Sequence, residues 1–412
     1  MRRTCIVYFL VVCLLLSLCA CKGKGSAASS LGGEVLLSTI DAVTAPENIQ
    51  QFDLPTENIK ASHILSHGVP STTGPGFYTC SKILRYTDVE MKQSVVMCAQ
   101  IGCSHSDASC QAWIGWDVGY ICEYRGTLYA TVMEEDGTLV FLKKDIATGE
   151  RTVIDSWPLD KDPNREIHLG IFADGKCILT FSRIVEIPLS NKNGYYIDSE
   201  NQQFLYDLST CQKQRLPEEY SDWSVAAICN DRLLLTYNGL SQEYKLQAIY
   251  GDDYKLYYIP NQMVEYNLAT GESKTIATEA EGLLFTADPC VTYGYNVVYQ
   301  MDNNFCIYDL ESGTNRVVVT MENVSNFWIL DHKIFLIEML TKGEISQCFI
   351  YYIDMNGGDL VRMENGGNTD YMHFSVTWEG NGFFGGNFRG KCLITKEDFY
   401  LEQYENYWLG GY

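Results

Sequence analysis

The sequence predicts an all-β protein and, more narrowly, a β-propeller of about seven four-stranded blades, with six or eight blades also compatible. From Glu34 onward, short runs rich in Val, Ile, Leu, Tyr and Phe are separated by Asp, Asn and Gly. Several runs alternate apolar and polar residues, as half-buried strands do, and no long 3.6-residue period interrupts them. One strand–turn–strand unit also recurs along the chain, and such a repeat favours a propeller.

The recurring unit places Asp or Asn at the end of a strand, then a tight turn, then a second strand. Its copies are Lys144–Arg151, Tyr206–Gln212, Tyr266–Ser273, Tyr308–Asn315 and Tyr352–Gly358. Gly supplies the positive φ that such turns need, while Asp and Asn tie the turn with side-chain hydrogen bonds. The Asp and Asn positions lie roughly 42 to 62 residues apart, a spacing typical of propeller blades.

These copies and the strands before them divide the chain into units. The predicted blades cover residues 60–97, 118–155, 167–217, 223–278, 283–320, 326–364 and 370–403. A propeller must close its ring, and Glu34–Ile40 is the predicted closing strand, with Asp398–Glu402 near its partner. Two stacked β-sandwich domains are the competing architecture, but they leave the recurring unit unexplained.

The N-terminus predicts an export signal. Arg2 and Arg3 precede about fourteen apolar or near-apolar residues, Cys5–Leu18, a run too short to span a bilayer comfortably. The Leu18-Cys19-Ala20-Cys21 sequence that follows resembles the lipobox, in which the last Cys is acylated after cleavage. An uncleaved anchor helix and an ordinary signal peptide are the alternatives. The predicted organisation is a lipoprotein signal peptide at 1–20, lipid attachment at Cys21, a flexible tether at 21–33 and the propeller at 34–412.

The composition describes an acidic body with ample material for a core. Cleavage after residue 20 leaves 28 basic and 52 acidic residues, a net charge near −24. Such a chain has no electrostatic route to nucleic acid and is repelled by anionic lipid headgroups. The covalent lipid is therefore predicted to hold it at the extracellular face of the cell membrane. One acyl chain binds membranes only marginally, so a diacyl anchor is expected.

A second informative stretch follows the first predicted blade. Cys98, Cys103, His105 and Cys110 form a Cys-x4-Cys-x-His-x4-Cys set in a predicted inter-blade loop, residues 98–112. Tetrahedral zinc takes such a mixture of thiolates and one imidazole. The spacing does not match the familiar zinc-knuckle pattern. A disulfide between two of the three thiols, and three unlinked cysteines beside a solvated histidine, remain open alternatives.

The lipobox, the propeller and this Cys/His segment together resemble a group of poorly characterised lipoproteins of anaerobic Gram-positive gut bacteria. In that group the segment typically ends in Cys-x-Ala, which Cys110-Gln111-Ala112 matches. The resemblance implies a surface lipoprotein with a propeller body, and it implies no particular activity.

The remaining chemistry-bearing residues favour structural roles. Nine further cysteines fall singly in strand-like stretches and are predicted to be free, as suits an anaerobic habitat: Cys80, Cys122, Cys177, Cys211, Cys229, Cys290, Cys306, Cys348 and Cys392. His63 and His67 are predicted to be loop histidines, and Glu134–Gly137 and Asp252–Asp253 solvated turns. Trp113, Trp116 and the aromatic tail 404–412 could stack on sugar rings, although packing explains the tail as well.

Two functions therefore remain. The favoured one is a binding module whose propeller recognises a glycan, a peptide or an envelope protein outside the cell. The alternative is an extracellular hydrolase or lyase with its active site in the propeller funnel. The expected cofactor is a structural Zn²⁺ in the Cys/His loop, and the expected partners exclude nucleic acid.

Overall fold

Seven antiparallel sheets follow one another along the chain in a computed structural model. The structure describes residues 62–63, 69–71, 74, 76–158, 165–172, 175–189, 195–284, 291–342, 345–364, 375–380, 382–387, 391–404 and 408–409. Within these residues, five sheets have four strands and two have five. Five sheets are meanders in which consecutive strands pair, as the predicted repeat requires; in the other two, β1 pairs with β6, and β18 and β19 both pair with β20. The β-propeller prediction is confirmed, and we number the sheets as blades 1 to 7.

The strands of blades 1 to 4 have the following bounds. Blade 1 contains β2 (Val69–Pro70), β3 (Gly76–Cys80), β4 (Leu84–Asp88) and β5 (Gln93–Val96). Blade 2 contains β6 (Asp117–Tyr124), β7 (Thr127–Met133), β8 (Thr138–Asp145) and β9 (Arg151–Pro158), with β1 (Ser62–His63) paired to β6. Blade 3 contains β10 (Arg165–Phe172), β11 (Lys176–Pro188), β12 (Tyr195–Asp207) and β13 (Lys213–Arg215). Blade 4 contains β14 (Ser224–Cys229), β15 (Arg232–Tyr237), β16 (Gln262–Asn267) and β17 (Ser273–Thr278).

Blades 5 to 7 continue the pattern. Blade 5 contains β18 (Leu283–Leu284), β19 (Val291–Tyr293), β20 (Asn296–Met301), β21 (Asn304–Asp309) and β22 (Thr314–Thr320). Blade 6 contains β23 (Val324–Leu330), β24 (Lys333–Lys342), β25 (Ile345–Asp354) and β26 (Val361–Arg362). Blade 7 contains β27 (Ser375–Gly380), β28 (Phe383–Asn387), β29 (Lys391–Thr395) and β30 (Trp408–Leu409).

Each central strand is buried on both faces because it serves two neighbouring blades. In β11, Cys177 and Leu179 pack against blade 2, whereas Ile178 between them packs against blade 4. Successive side chains of a strand point to opposite faces, so one strand supplies two inter-blade cores. The apolar runs without polar alternation follow directly from this arrangement.

The apolar cores also show that the first and last blades are neighbours. Six clusters of buried side chains join consecutive blades from blade 1 to blade 7. A seventh cluster unites Phe77 of β3 with Leu393 of β29, and Val89 packs against it. The seven interfaces therefore close a ring, and buried apolar area is the main force that holds it.

The recurring turn has the predicted geometry. Asp145, Asp207, Asn267, Asp309 and Asp354 each accept a backbone N–H hydrogen bond two or three residues ahead through a side-chain oxygen. In four of these turns the backbone N–H four residues on closes the turn, as when Gly271 donates to the Asn267 carbonyl at 2.8 Å; at Asp354 the closing donor is Gly357, three residues on. At this fourth position Gly149, Gly271 and Gly313 have positive φ. The side-chain oxygen thus replaces a partner that the turning backbone lacks.

Helical elements are few in the described residues. They are α1 (Gly239–Tyr250), α2 (Lys396–Tyr400) and the 3-10 turns Glu218–Tyr220, Gly251–Leu256 and Glu279–Glu281. The predicted turn at Asp252–Asp253 is instead part of the 3-10 segment that follows α1. The predicted strand partner at Asp398–Glu402 begins inside α2, where the Thr395 side chain accepts a hydrogen bond from the Asp398 N–H. No helix in the described part is long and apolar enough to cross a membrane.

Several predictions fall outside the described residues. These are the signal peptide 1–20, the lipid attachment at Cys21, the tether 21–33 and the closing strand Glu34–Ile40. They stay predictions. The boundaries of blades 2 to 6 agree with those predicted to within a few residues, as for 118–155 against Asp117–Pro158. The predicted ends of the outer units differ more: the first strand of blade 1 begins at Val69 and not at residue 60, and the last strand of blade 7 ends at Leu409 and not at residue 403.

Candidate metal centre

The connection between blades 1 and 2 gathers the four predicted ligands. The nearest ligand atoms of Cys98, Cys103, His105 and Cys110 all lie within 4.8 Å of one another. Cys98 lies two residues after the end of β5, and its N–H donates to the Val96 carbonyl at 2.8 Å. The four residues come from one short loop, so local turns decide whether their side chains converge.

Two turns bring the ligands together. The Cys103 N–H donates to the Gln100 carbonyl, and Gly102 between them has a φ of 73°. His105 itself has a φ of 54°, which is uncommon for a residue with a side chain. The second turn is tied by Asp107, whose carboxylate accepts from the Ser109 N–H at 2.9 Å and hydroxyl at 2.6 Å. These hydrogen bonds from Ser109 lower the pKa of Asp107.

Donors from within the loop point at the sulfur atoms. The His105 N–H donates to Cys103 Sγ at 3.4 Å, and the Ala112 N–H donates to Cys110 Sγ at 3.3 Å. The His105 ring also contacts this sulfur, with 3.4 Å between Nδ1 and Cys110 Sγ. Backbone N–H groups favour the charged thiolate over the neutral thiol. The loop therefore supports the ligand form that a metal needs.

The three thiols differ in how readily they ionise. Burial opposes ionisation of Cys98, but hydrogen bonds from the Gln100 and Gln111 backbone and from the neighbouring thiols outweigh it and lower the pKa of Cys98. Burial and then the adjacent Cys103 and Cys98 thiols outweigh the hydrogen bond from the Ala112 N–H and together raise the pKa of Cys110 to about 12. A second thiolate in one small site thus needs a compensating positive charge.

A buried lysine of blade 2 is electrostatically coupled to thiols of the blade 1–blade 2 interface. Lys144 on β8 is almost fully buried, and its ammonium donates to the Gly149 carbonyl at 2.7 Å. Burial lowers the pKa of Lys144 and Arg151 lowers it further, while the Cys110, Cys80 and Cys98 thiols act in the opposite direction. Lys144 therefore belongs to the electrostatic surroundings of the cluster.

The donor set suits a tetrahedral soft-metal site. Three thiolates and one imidazole are a standard zinc ligand set. Zn–S bonds of about 2.3 Å place tetrahedral sulfurs about 3.8 Å apart, and the four ligand atoms here lie within 4.8 Å of one another. In this structure all three thiols are free. The cluster could thus bind a metal ion such as zinc.

The loop is fastened to both blades. On the blade 1 side it pairs with the start of β4, where the Leu84 N–H donates to the Ala112 carbonyl and the Ile114 N–H to the Lys82 carbonyl, both at 2.8 Å. On the blade 2 side Gln111 Nε2 donates to the Thr148 carbonyl at 2.8 Å. The Gln111 oxygen meanwhile accepts from the Ala99 N–H at 2.9 Å. The loop that carries the cluster is thereby hydrogen-bonded to both blades.

An open cleft of about 610 Å³ lies beside the cluster. Lys82, His105, Ser106, Trp116 and Asp117 are among its lining residues. Trp116 is 41% exposed, and the Lys82 ammonium lies 4.4 Å from the centre of its ring. The volume of the cleft is within the range of small-molecule sites, roughly 300 to 1,000 Å³. His105 belongs to both the cluster and the cleft, so the two share a wall.

The other predicted residues are distributed as follows. Trp113 is buried and meets Trp116 edge-on at 5.6 Å between centroids. Glu134–Gly137 forms the predicted β7–β8 turn, in which Gly137 has a φ of 82°. Tyr404 of the aromatic tail is buried in the core between blades 6 and 7. The loop prediction for His63 is wrong, because His63 lies in strand β1 and pairs with Tyr120 of β6. Only the backbone of His63 is described, and His67 lies outside the described residues.

Most of the other cysteines are core residues, as predicted. Of the nine, the side chains of seven are described; all seven are free, and Cys211, in a turn, is the one that is not buried. Cys290 and the side chain of Cys392 lie outside the described part. Lys144, Gln111 and Lys82 were not singled out from the sequence. None of the three carries a sequence signal of its own, since Gln111 occupies the unspecified position of the Cys-x-Ala ending.

Comparisons with known proteins add only distant structural likenesses. No family model matches the chain, and no curated protein matches it. Oligogalacturonate lyase from Vibrio parahaemolyticus is 13% identical, with 84% of this chain and 93% of that chain covered and a TM-score of 0.47. The β-propeller domain of the Trilobed protease from Pyrococcus furiosus is 12% identical, with 74% and 83% covered and a TM-score of 0.39. TolB from Acinetobacter baumannii is 14% identical, with a TM-score of 0.31; this chain is covered over 75% and spans 63% of that protein.

Proposed function

We propose that this protein is a lipid-anchored extracellular binding module, a β-propeller in which a structural zinc ion holds the loop between blades 1 and 2. The observation that carries the proposal is the convergence of Cys98, Cys103, His105 and Cys110 beside an open cleft. The ligands of the module are a glycan, a peptide or an envelope protein. A funnel or cleft built on a rigid scaffold is a common place for recognition.

The zinc part of the proposal follows from the donor chemistry. Thiolate ligands select zinc over magnesium or calcium, which prefer oxygen. Four protein ligands leave no open position, as in structural rather than catalytic zinc sites. Zn²⁺ with three thiolates carries a net charge of −1. The ion would fix the exposed part of the loop, residues 99–109, between its hydrogen-bonded and buried ends.

Cobalt substitution tests the ligand set directly. The mature chain with Cys21→Ser, purified under reducing conditions and stripped of metal, is titrated with Co²⁺. We expect a thiolate-to-cobalt charge-transfer band and the visible bands of tetrahedral cobalt, both displaced by Zn²⁺. His105→Ala and Cys103→Ser should weaken these bands, whereas Cys211→Ser, a control at a half-buried thiol outside the cluster, should leave them. Octahedral cobalt bands, or equal bands in Cys103→Ser, would refute the ligand set.

The anchor is tested by metabolic labelling. Cells that express the full chain with radiolabelled palmitate should yield a labelled protein in the membrane fraction, accessible to protease added outside intact cells. Cys21→Ala should abolish the label, while Cys19→Ala should retain it. A label that survives Cys21→Ala would contradict the predicted attachment site.

A further inference from the structure

We infer that the cleft between Trp116 and the Cys/His loop is a subsite for a neutral sugar ring of a glycan. The inference rests on the proposed binding function and names its ligand class. It places the sugar against Trp116, with Lys82, Asp117 and the hydroxyl of Ser106 around it. Each of these residues lines the same cleft.

The aromatic wall is held in place before any ligand arrives. Trp116 is 41% exposed, while Trp113, only 7% exposed, meets it edge-on from the core. Trp113 is itself fixed by a backbone bridge to Ile83 of blade 1. A large exposed indole on rigid support offers contact area at little entropic cost. The C–H face of a pyranose ring is the apolar surface that such an indole accepts.

The polar wall matches hydroxyl groups rather than a single charge. Lys82 presents an ammonium with donors only, and Asp117 a carboxylate with acceptors only. Neighbouring sugar hydroxyls both donate and accept, so one ring can satisfy both side chains. Ser106 adds a group that can do either. A fatty or purely aromatic ligand would leave these charges desolvated and unpaired.

The charge of the whole chain selects neutral over acidic glycans. The sequence carries a formal net charge of −22, and a field of that sign repels polyanions during encounter. The one lysine of the cleft is already drawn to the Trp116 ring, at 4.4 Å from its centre. A single cation beside Asp117 is too little to reverse that repulsion.

The test is binding of defined oligosaccharides to the full mature chain with Cys21→Ser. The probes are neutral tetrasaccharides of glucose, mannose, galactose and N-acetylglucosamine, together with the tetramer of galacturonic acid. Affinity is measured by calorimetry and by Trp fluorescence. We expect at least one neutral probe to bind, and Trp116→Ala to weaken it by about tenfold or more, as for aromatic anchors elsewhere. Asp117→Asn should also weaken it, and Tyr257→Ala, an exposed aromatic on another blade, should not.

Failure of the inference is distinguishable from failure of the proposed function. Absence of binding by every neutral probe, equal affinity of Trp116→Ala, or preference for the acidic tetramer would each overturn the sugar subsite. A peptide that binds through Trp116 would overturn it too, while leaving a binding module. Thermal midpoint and zinc content of Trp116→Ala, expected to match the parent, ensure that lost binding is not lost folding. Failure of the zinc proposal would appear in the metal content alone.

Discussion

Cys211 occupies a backbone conformation that other copies of the repeated turn give to glycine. Its φ is 56°, against 75° for Gly149, 73° for Gly271 and 68° for Gly313. A residue with a Cβ loses about 1–2 kcal/mol in the left-handed region. The Cys211 N–H still closes the turn on the Asp207 carbonyl at 2.7 Å, so the hydrogen bond is retained at the cost of strain.

Cys211→Gly should therefore stabilise the protein. We expect the free energy of unfolding to rise by about 1 kcal/mol, partly offset by the greater freedom of the unfolded chain. Urea denaturation under reducing conditions measures it. Gly271→Ala is the matched opposite change: its new Cβ meets nothing nearer than the Tyr266 hydroxyl at 4.0 Å, so it tests conformation alone. A lower free energy of unfolding for Cys211→Gly would show that the contacts of the cysteine side chain stabilise the protein by more than the positive φ destabilises it.

Asp207 adds a pH-dependent contribution at the same turn. Its carboxylate accepts from the Lys176 ammonium at 2.6 Å, and that ion pair together with Ser209 holds the pKa of Asp207 far below its usual range. Because the pKa of Asp207 is lower in the folded than in the unfolded protein, its ionisation stabilises the fold at pH values above the unfolded pKa of about 3.9. This contribution is lost as the pH falls from about 4 toward the folded-state pKa.

Asp207→Asn should then be destabilising at neutral pH and progressively less so below about pH 4. Asparagine preserves the turn, as Asn267 does in blade 4, so the difference reports the ion pair. Thermal midpoints of both proteins from pH 7 to pH 2 measure it. A difference that stays constant across this range would place the effect in the turn and not in the charge.

At the scale of elements, tyrosine hydroxyl groups of one blade donate hydrogen bonds to carboxylates of the preceding blade. Tyr206 of β12 donates to Asp155 of β9 at 2.7 Å, and Tyr400 of α2 donates to Asp331 before β24 at 2.9 Å. Tyr308 of β21 likewise donates to Glu265 of β16. In each pair the carboxylate belongs to the preceding blade. Burial, and then the Asp155 carboxylate, raise the pKa of Tyr206, so its hydroxyl remains a donor.

Tyr206→Phe should lower the free energy of unfolding by about 1–3 kcal/mol, because a charge-assisted hydrogen bond is lost and Asp155 stays half-buried. Lys213, at 2.8 Å from the same carboxylate, moderates the loss. Chemical denaturation measures the effect, with Tyr257→Phe as the exposed control. An effect no larger than that of the control would mean that apolar packing alone joins blades 2 and 3.

Helix α1 is the element that sequence patterns did not reveal. Its apolar residues are spread around the helix and not gathered on one face, so the usual 3.6-residue signal is absent. It is inserted between β15 and β16, and its side chains reach back to blade 3, where Lys245 pairs with Asp198 at 2.5 Å. Such a tertiary contact cannot be read from local periodicity.

At the scale of the whole molecule, the ring was predictable and the cleft was not. Each blade carries its own turn signal, so Asp145, Asp207 and Asn267 reveal the repeat without any long-range information. The four metal ligands lie within thirteen residues, so their convergence is also local. Lys82 and Trp116 meet only because the loop folds back along β4. Lys144 joins the cluster only through the blade 1–blade 2 interface.

The metal content of the purified protein is the most direct test of the proposed zinc site. The mature chain with Cys21→Ser, purified anaerobically with reductant, is analysed for zinc by mass spectrometry and for free thiols by titration. We predict one zinc per chain, a near-complete loss in Cys103→Ser and an unchanged content in Cys211→Ser. Absence of stoichiometric metal in the parent protein, with the cluster thiols joined in a disulfide, would contradict the zinc-braced propeller.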